Sequence, residues 1–471
     1  MQTSKTRGST DSSQKHVVFL HPDLGIGGAE RLVIDAAVGL QSRGCKVTIF
    51  TSHCDPNHCF TEARDGTLDV RVRGNTIFPP SIGGRFAILC AIARQIHLIL
   101  TVALVTNELS SLRPTHFFVD QLSAGVPLLR LLCTRAPILF YCHFPDKLLA
   151  QRGSGLLLLI KALYRLPFNW VESWSTSCSD DIVVNSKFTG GVVKAVFPSL
   201  RSRALKVVYP CVDTTPPSPK PGSQSRLWPE KKTIFLSINR FERKKGVGLA
   251  IEAFSKLSPD EKRDSILVLA GGYDPRLKEN VSHLEELQHL ADSLSLSNQT
   301  VQNRADLSTV RPEISVLFLP SVPDELKQSL LDSASLLIYT PRNEHFGIVP
   351  LEAMLNRVPV LAANEGGPVE TVVDGATGWL RDVSNTADWS KVMQRVVAMS
   401  KSDRAQLARM GEAGKTRVEE MFSKAAMAAQ LDEMLAQLRT TTPPAIFSNM
   451  VLALAVAFAI FFGTFLTKAW F

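Results

Sequence analysis

Short apolar runs alternate with amphipathic stretches along most of the chain, which is the pattern of alternating strands and helices in parallel α/β sheets. In the first half, this pattern predicts strands at residues 16–20, 46–50, 115–119, 138–142, 182–184 and 205–209, and a helix at 29–41. In the second half, it predicts strands at 233–238, 266–270, 314–319, 335–339 and 358–362, and a helical region at 403–438. The predicted fold class is therefore α/β, with two Rossmann-like doubly wound domains and a ligand cleft at the carboxyl ends of their strands.

The predicted domain limits follow from where this alternation stops. Residues 216–221 combine several prolines with Ser and Gly, a composition typical of a linker. The expected organisation is a disordered N-terminus at residues 1–14, an N-terminal domain at 15–213, a linker at 214–232 and a C-terminal domain at 233–440.

The apolar run at residues 450–466 is just long enough to span a bilayer. With its flanks it predicts a transmembrane tail anchor at residues 445–467 rather than a buried core helix, because few residues follow that could cover it. The polar N-terminus lacks the apolar core of a secretion signal, so the bulk of the protein is expected on the cytosolic side. Residues 86–105 and 156–168 are also apolar, but each carries polar side chains on one face, which fits an interfacial helix or a core helix.

The chain of 471 residues has a formal net charge of +8, which favours anionic partners. Its Lys and Arg residues are dispersed and no nucleic-acid-binding signature occurs, so nucleotide phosphates and an anionic membrane surface are expected rather than nucleic acid. The eight cysteines lack the paired spacing of metal ligands. We expect reduced cytosolic thiols, no metal site and no tightly bound cofactor.

The most informative motif is Asn-Glu-His-Phe-Gly-Ile-Val-Pro-Leu-Glu-Ala-Met at residues 343–354. It follows a predicted buried strand, and Pro350 is expected at the first helical position, where its missing N–H would be unpaired anyway. Glu344 then lies in the strand-to-helix loop and Glu352 on the first helical turn. The motif therefore places two carboxylates around a helix start.

The backbone at this helix start offers N–H groups that have no partner within the helix. Those of Gly347, Ile348 and Val349 would bind an anion between the two carboxylates. Such a pocket suits a phosphorylated sugar, because carboxylates accept hydrogen bonds from vicinal hydroxyls. The alternative is that both glutamates only cap the helix.

Cations follow the predicted strand at residues 233–238. Arg240 and Lys245 would emerge at its carboxyl end, where they face the expected cleft and could clamp a diphosphate. For the neighbouring Arg243 and Lys244 we expect an ordinary solvated surface.

A glycine turn follows the predicted strand at residues 358–362. The N–H groups of Gly366 and Gly367 could complete a phosphate cradle, with Glu370 near the nucleoside. A helix cap is the alternative for Glu370.

The N-terminal domain offers a glycine-rich turn and a histidine at strand ends. Gly27, Gly28 and Glu30 lie between the first predicted strand and its helix, where the backbone can approach a phosphate or substrate closely. Glu30 stands where the dinucleotide fingerprint has its last glycine, and a tight packing turn is the alternative. His143 follows the strand at residues 138–142 and could bind a substrate hydroxyl, although a lone histidine is more often structural.

Taken together, these motifs resemble those of retaining glycosyltransferases of the GT-B fold. More narrowly, the segments at residues 21–31, 141–146, 238–245 and 343–354 are similar to those of the dolichol-pathway α1,3/α1,6-mannosyltransferases, which add the second and third mannoses. The resemblance runs from about residue 16 to the apolar run at the carboxyl end.

This resemblance implies transfer of mannose from GDP-mannose to Man-GlcNAc2-diphosphate-dolichol, with retained configuration, at the cytosolic face of the endoplasmic reticulum membrane. It implies that Glu344 orients the donor mannose, Glu352 holds the ribose and His143 meets the sugar. Arg240 and Lys245 would stabilise the leaving diphosphate without a divalent metal. Other mannosyltransferases of the pathway are implied as candidate partners.

Two other functions remain open on the sequence alone. One is a membrane-anchored, non-catalytic binder of sugar nucleotides that scaffolds other glycosyltransferases. The other is a related glycosyltransferase that uses a different nucleotide sugar.

Overall fold

The computed structural model describes residues 14–83, 86–145, 148, 156–215, 232–302, 307, 309–443, 447, 453 and 456, and for residues 156–164 only the backbone. The chain divides into two compact units. Unit 1 comprises Met1–Asn185, Thr189–Val208 and Met427–Phe471, and unit 2 comprises Ser186–Phe188 and Tyr209–Ala426. Residues 1–13 of the predicted disordered N-terminus, most of the predicted linker and most of the predicted tail anchor at 445–467 lie outside the described residues.

Unit 1 contains a parallel seven-stranded sheet in the order β3-β2-β1-β4-β5-β6-β7. Its strands are β1 (His16–Asp23), β2 (Lys46–His53), β3 (Asp69–Val72), β4 (His116–Asp120), β5 (Ile138–Cys142), β6 (Asp181–Val184) and β7 (Lys206–Val207). Its helices are α1 (Gly28–Ser42), α2 (Ala87–Leu100), α3 (Glu108–Leu112), α4 (Val126–Leu132), α5 (Leu156–Ser177) and most of α6 (Lys187–Val196).

Unit 2 contains a second parallel seven-stranded sheet, in the order β10-β11-β9-β8-β12-β13-β14. Its strands are β8 (Thr233–Ile238), β9 (Ser265–Gly271), β10 (Asn298–Thr300), β11 (Val316–Pro320), β12 (Leu336–Tyr339), β13 (Val360–Ala363) and β14 (Gly378–Arg381). Its helices are α7 (Gly248–Ser255), α8 (Pro259–Arg263), α9 (Lys278–Ser293), α10 (Asp324–Ser333), α11 (Ile348–Leu355), α12 (Pro368–Thr371), α13 (Thr386–Ser402) and α14 (Arg404–Met421). Helix α15 (Lys424–Gln437) begins in this unit and ends in unit 1.

The central strands are apolar on both faces, because helices cover both sides of a parallel sheet. In β8, Phe235 joins one buried cluster and Leu236 joins the cluster on the opposite face. This is why the central strands were visible as continuous apolar runs. The strands that the pattern missed, β3, β10 and β14, are all edge strands, and β3 and β10 are only partly buried or exposed.

Some predicted bounds need correction. The strand predicted at 205–209 is reduced to the two-residue β7, and the helical region predicted at 403–438 is divided into α14 and α15. The unit boundary lies at residues 208 and 209 rather than at 213, and the chain returns to unit 1 at Met427, so the predicted C-terminal domain does not extend to 440. Hydrophobic periodicity shows that a helix exists, but not which sheet it covers.

One described helix, Ala87–Val105, is long and apolar enough to cross a membrane. Leu98, Ile99 and Val102 are nevertheless fully buried in the core of unit 1, whereas Leu104 and Val105 are exposed. The guanidinium of Arg94 makes two hydrogen bonds to the Asp23 carboxylate, at 2.6 and 2.9 Å. One face of this helix is therefore a core face, as one of the two sequence interpretations proposed.

The close packing of α14 on α11 gives a test of the fold. A Cβ at Gly411 of α14 would lie 2.2 Å from the backbone oxygen of Arg357, directly after α11. We expect Gly411→Ala to lower the thermal unfolding midpoint by about 4 °C or more, because the helix would have to move. Gly191→Ala in α6, where a Cβ meets nothing within 4 Å, is the matched control and should be neutral or stabilising. Equal midpoints for the two variants would contradict this packing.

Candidate functional site

The candidate site of unit 2 lies where the order of its strands reverses. From β8 the chain runs to β9 on one side and later returns to β12 on the other side of β8. In an open parallel sheet, this reversal leaves a crevice at the carboxyl ends of the two strands, and ligands bind there. The loops that follow β8 and β12 therefore border the crevice.

An ion pair joins these two loops. Lys245 ends a single helical turn after β8, and its Nζ lies 2.5 Å from Oε2 of Glu344 in the loop after β12. The Thr340 hydroxyl donates to the backbone oxygen of Lys245 at 2.7 Å and holds the loops together. Both charged side chains are mostly buried but keep some exposure, 15% for Lys245 and 22% for Glu344. The structure thus brings together two residues that are far apart in sequence and were predicted independently.

Glu344 is held as an ionised acceptor. Burial alone would raise the pKa of Glu344, but the Lys245 ammonium, His345 and a hydrogen bond from Tyr339 outweigh it and lower the pKa. Burial and the nearby carboxylates of Glu344 and Glu352 raise the pKa of Tyr339 well above its usual value, so its hydroxyl remains a donor. A carboxylate with this support can accept hydrogen bonds from sugar hydroxyls.

The backbone around Glu344 is shaped by glycines. Gly347 has φ +86° and caps α11, where a Cβ would lie 3.1 Å from the Tyr339 ring. The N–H of Gly367 donates to the backbone oxygen of Glu344 at 2.7 Å, and a Cβ at Gly367 would lie 2.2 Å from the backbone oxygen of Phe346. Gly366, at φ +71°, makes the turn that allows this contact. The loop after β13 therefore packs directly against the Glu344 loop.

Helix α11 begins at Ile348, so Pro350 is its third residue and the prediction that it opens the helix is wrong. The physical reason survives the correction, because Pro350 still lies in the first turn, where N–H groups lack helical partners. Ile348 and Val349 are the first two residues of α11, so their N–H groups have no acceptor within the helix. Glu352 lies on the second turn instead of the first, and its Oε1 is 3.0 Å from Nζ of Lys327, a residue that no motif in the sequence indicated.

The cations after β8 differ in their surroundings. Arg240 is 62% exposed, and its Nη1 lies 2.9 Å from Oε1 of Glu242. Lys244 contacts the other oxygen of Glu242 at 2.9 Å, and Arg243 pairs with Glu286 on the surface. Arg243 and Lys244 are thus half exposed, as expected for a solvated surface. The role of Arg240 at a diphosphate stays a prediction.

The geometry of Glu370 favours the alternative over the predicted nucleoside contact. Its two carboxylate oxygens accept the N–H groups of Lys187 and Phe188, at 2.8 and 2.9 Å, and the Tyr209 hydroxyl at 3.0 Å. Burial, together with Glu370, raises the pKa of Tyr209 to about 12. Glu370 is thus a capping residue for a remote segment, which a local motif cannot reveal.

In unit 1, the strand order reverses between β1 and β4, and three titratable side chains meet there. Asp120 ends β4, and its carboxylate contacts Nδ1 of His21 at 2.8 Å and Nε2 of His143 at 2.6 Å. His143 was predicted, whereas Asp120 and His21 were missed as site residues. The available signal was their position at the ends of two adjacent parallel strands.

The glycine turn of unit 1 lies after β1. Gly27 caps α1, and Gly28 is the first helical residue. A Cβ at Gly27 would lie 2.3 Å from Oε2 of Glu30, so the carboxylate folds back over the glycine. Burial lowers the pKa of His143, whereas the negative charges of Asp120 and, to a smaller extent, Glu30 raise it.

A separate groove of about 800 Å³ in unit 2 lies at the opposite ends of the strands. Thr233, Ser335 and Pro359, which begin or precede β8, β12 and β13, line it together with Lys232 and Lys401. None of the predicted site residues lines this groove.

Comparison with known proteins identifies the family. The model of glycosyl transferases group 1 matches residues 222–417, and that of glycosyltransferase family 4 matches residues 26–216. The alpha-1,3/1,6-mannosyltransferase of Neurospora crassa is 56% identical over 91% of this chain and 92% of that protein. The enzyme of the same name from Schizosaccharomyces pombe is 47% identical over 99% of this chain and 90% of that protein.

The chain belongs to the alpha-1,3/1,6-mannosyltransferase family. The mannosyltransferase has the GT-B fold. Sucrose-phosphate synthase from Thermosynechococcus elongatus matches with a TM-score of 0.67 at 19% identity, over 90% of this chain and 99% of that one. The lipopolysaccharide glycosyltransferase WaaG matches with a TM-score of 0.57 at 16% identity, over 88% of this chain and 99% of that one. At these identities the likeness shows the fold alone.

The ion pair predicts which lysine matters for mannosyl transfer. We expect Lys245→Ala to lower kcat/KM by about a hundredfold or more, because it removes a preorganised charge and leaves Glu344 without its partner. Lys244→Ala, its half-exposed neighbour, should change the rate by less than about threefold. Steady-state mannosyl transfer by both purified variants is the measurement. Similar rates for the two variants would contradict this assignment.

Proposed function

We propose that the mannosyltransferase moves mannose from GDP-mannose to Man-GlcNAc2-diphosphate-dolichol, first in α1,3 and then in α1,6 linkage, with retained configuration, in assembly of the N-glycan precursor. The observation that carries this proposal is the Lys245–Glu344 pair at the strand reversal of unit 2, beside the N–H groups at the start of α11. The family to which the chain belongs is named for both linkages.

The donor half of the proposal follows from charge. Cleavage of the sugar–phosphate bond leaves negative charge on the diphosphate of GDP. Lys245, the exposed guanidinium of Arg240 and the N–H groups of Ile348 and Val349 would stabilise that charge. These cations would do so in place of a divalent metal.

The two glutamates would fix the donor sugar and the nucleoside. Glu344, ionised and supported by Tyr339, would accept from mannose hydroxyls. Glu352, oriented by Lys327, would accept from the ribose. The leaving phosphate would take the acceptor proton, so this retaining route needs no enzymic nucleophile.

The acceptor half depends on the membrane. Helix Ala87–Val105 is apolar enough to enter a bilayer, and in unit 1 Leu104, Val105, Leu166 and Trp170 are exposed. Contact of such side chains with the endoplasmic reticulum membrane would keep the enzyme close to a lipid-linked acceptor and raise its effective concentration.

Turnover with purified protein tests the proposal. With GDP-mannose and the synthetic lipid-linked trisaccharide, we expect GDP release and a product that carries two added mannoses, with activity retained in EDTA. UDP-sugars in place of GDP-mannose should give no product. Donor binding without GDP release would indicate a non-catalytic scaffold, and transfer from a UDP-sugar would indicate a related enzyme with another donor.

Glycosylation of the chain itself tests the proposed cytosolic orientation. Two sequons begin at Asn280 and Asn298, and we expect neither to carry glycan in cells. Asn298 is the better reporter, because Asn280 is buried and the Asn280 side chain makes hydrogen bonds to the backbone of Asp274 and Phe241. Fusion of a cleavable secretion signal, which forces translocation, is the positive control. Glycan at Asn298 of the native chain would contradict the orientation.

A further inference from the structure

The carboxylate of Asp120 is shared by two histidines at the strand reversal of unit 1. The side chains of His21 and Asp120 are 0% and 1% exposed, whereas that of His143 is 21% exposed. Only His143 can therefore touch a bound substrate. The other two residues lie behind it, on β1 and β4.

Hydrogen-bond chemistry fixes what each histidine does. Burial alone would raise the pKa of Asp120, but the charge and hydrogen bonds of His143 and His21 lower it to about 2. An ionised carboxylate only accepts hydrogen bonds, so both imidazole nitrogens that face it must be donors. His143 thus commits its Nε2–H to Asp120, and Nδ1 is the nitrogen left for a ligand.

His21 has no other visible task. Its Nδ1 donates to Asp120, and its buried Nε2 has no hydrogen-bond partner within the described part of the chain. Placing an imidazole in a closed site with half its polar atoms unused is costly. Its bond to Asp120 accounts for its presence.

The charged groups near His143 are carboxylates. Burial would lower the pKa of His143, but Asp120 and then Glu30 outweigh it and raise the pKa. The ring packs on that of Tyr141 at 4.9 Å between centroids, and the backbone oxygen of His143 accepts from Asn185 at 3.0 Å. The imidazole is therefore fixed in orientation and protonated to a higher pH than an isolated histidine.

We propose that Asp120 and His21 are positioning residues for mannosyl transfer. Asp120 fixes the orientation of the His143 ring so that Nδ1–H can donate to a hydroxyl oxygen of the bound sugar. His21 fixes the orientation of the Asp120 carboxylate. This inference rests on the proposed function, because it assigns the substrate that His143 meets.

The pH dependence of kcat/KM tests the role of Asp120. Because the pKa of His143 is raised, its ring loses the second proton only at higher pH. The Nδ1–H donor is lost with that proton. In Asp120→Asn that loss should begin about one pH unit lower or more, and kcat/KM near neutral pH should fall about ten- to a hundredfold. Asp180→Asn is the matched control: Asp180 is also a buried carboxylate of unit 1, but it accepts from the backbone of Ile138 and Thr441. It should leave the alkaline limb in place.

A pair of substitutions at His21 tests the chain of contacts. Asparagine can place its amide N–H where His21 has Nδ1–H, so His21→Asn should keep the wild-type pH profile. His21→Leu removes that donor. The alkaline limb of the kcat/KM profile should then move to lower pH, as in Asp120→Asn. If both variants, or Asp120→Asn, give the wild-type profile, the proposal is wrong.

A measurement on the wild-type protein tests the proposal even if the Asp120 and His21 variants do not fold. In protein labelled with ¹⁵N-histidine, the resonances of His143, assigned by their loss in His143→Gln, should show both nitrogens protonated to a higher pH than in an isolated histidine. Loss of the Nδ1 proton at or below the pH at which an isolated histidine loses it would overturn the proposal. If wild-type enzyme transfers no mannose from GDP-mannose, the proposed function fails. A wild-type enzyme that transfers mannose while Asp120→Asn keeps its pH profile refutes only this inference.

Discussion

The ion pair between Lys245 and Glu344 is the interaction on which the candidate site depends. Two charged groups that are mostly withdrawn from water are stable together only if each keeps a partner. Here the Tyr339 hydroxyl donates to the Glu344 carboxylate, and the Thr340 hydroxyl donates to the backbone oxygen of Lys245. The loops after β8 and β12 are therefore fixed before any ligand binds. Preorganised charge of this kind is what stabilises a leaving diphosphate without reorganisation during the reaction.

The same constraint operates in unit 1 with different chemistry. A parallel sheet covered on both faces offers functional side chains only at its ends, and the strand reversal opens a space there. Unit 1 fills that position with one carboxylate between two imidazoles, and unit 2 with an ammonium–carboxylate pair. Each unit thus brings ionisable groups to one defined point. Their chemical types fit different tasks, a hydrogen-bond donor for hydroxyls and a positive site for phosphate.

The sequence predicted the parts of the fold that depend on local pattern. Continuous apolar runs identified the central strands, and Gly-rich turns after them identified loops such as the one at Gly366 and Gly367. Edge strands such as β10 were missed because they are short and polar, and the unit assignment of α15 was missed because periodicity does not report which sheet a helix covers. The GT-B fold and the mannosyltransferase family were predicted from motifs that occur in order along the chain.

The site shows a similar division. Lys245 was predicted from its strand-end position and Glu344 from the strand-to-helix loop, and the structure brings these two together. Asp120, His21 and Lys327 were missed, because a single polar residue at a strand end or on a helix has no local signature until its partner is known. The partners of Glu370 near residue 187 were missed for the same reason. A single sequence does not show which distant residues contact each other.

The most direct measurement of the central claim is a crystal or cryo-EM structure of the enzyme with GDP bound. The account predicts the diphosphate within hydrogen-bond reach of the Lys245 ammonium and of the N–H groups of Ile348 and Val349. GDP in the basic groove at the opposite strand ends, beside Lys232 and Lys401, would contradict it.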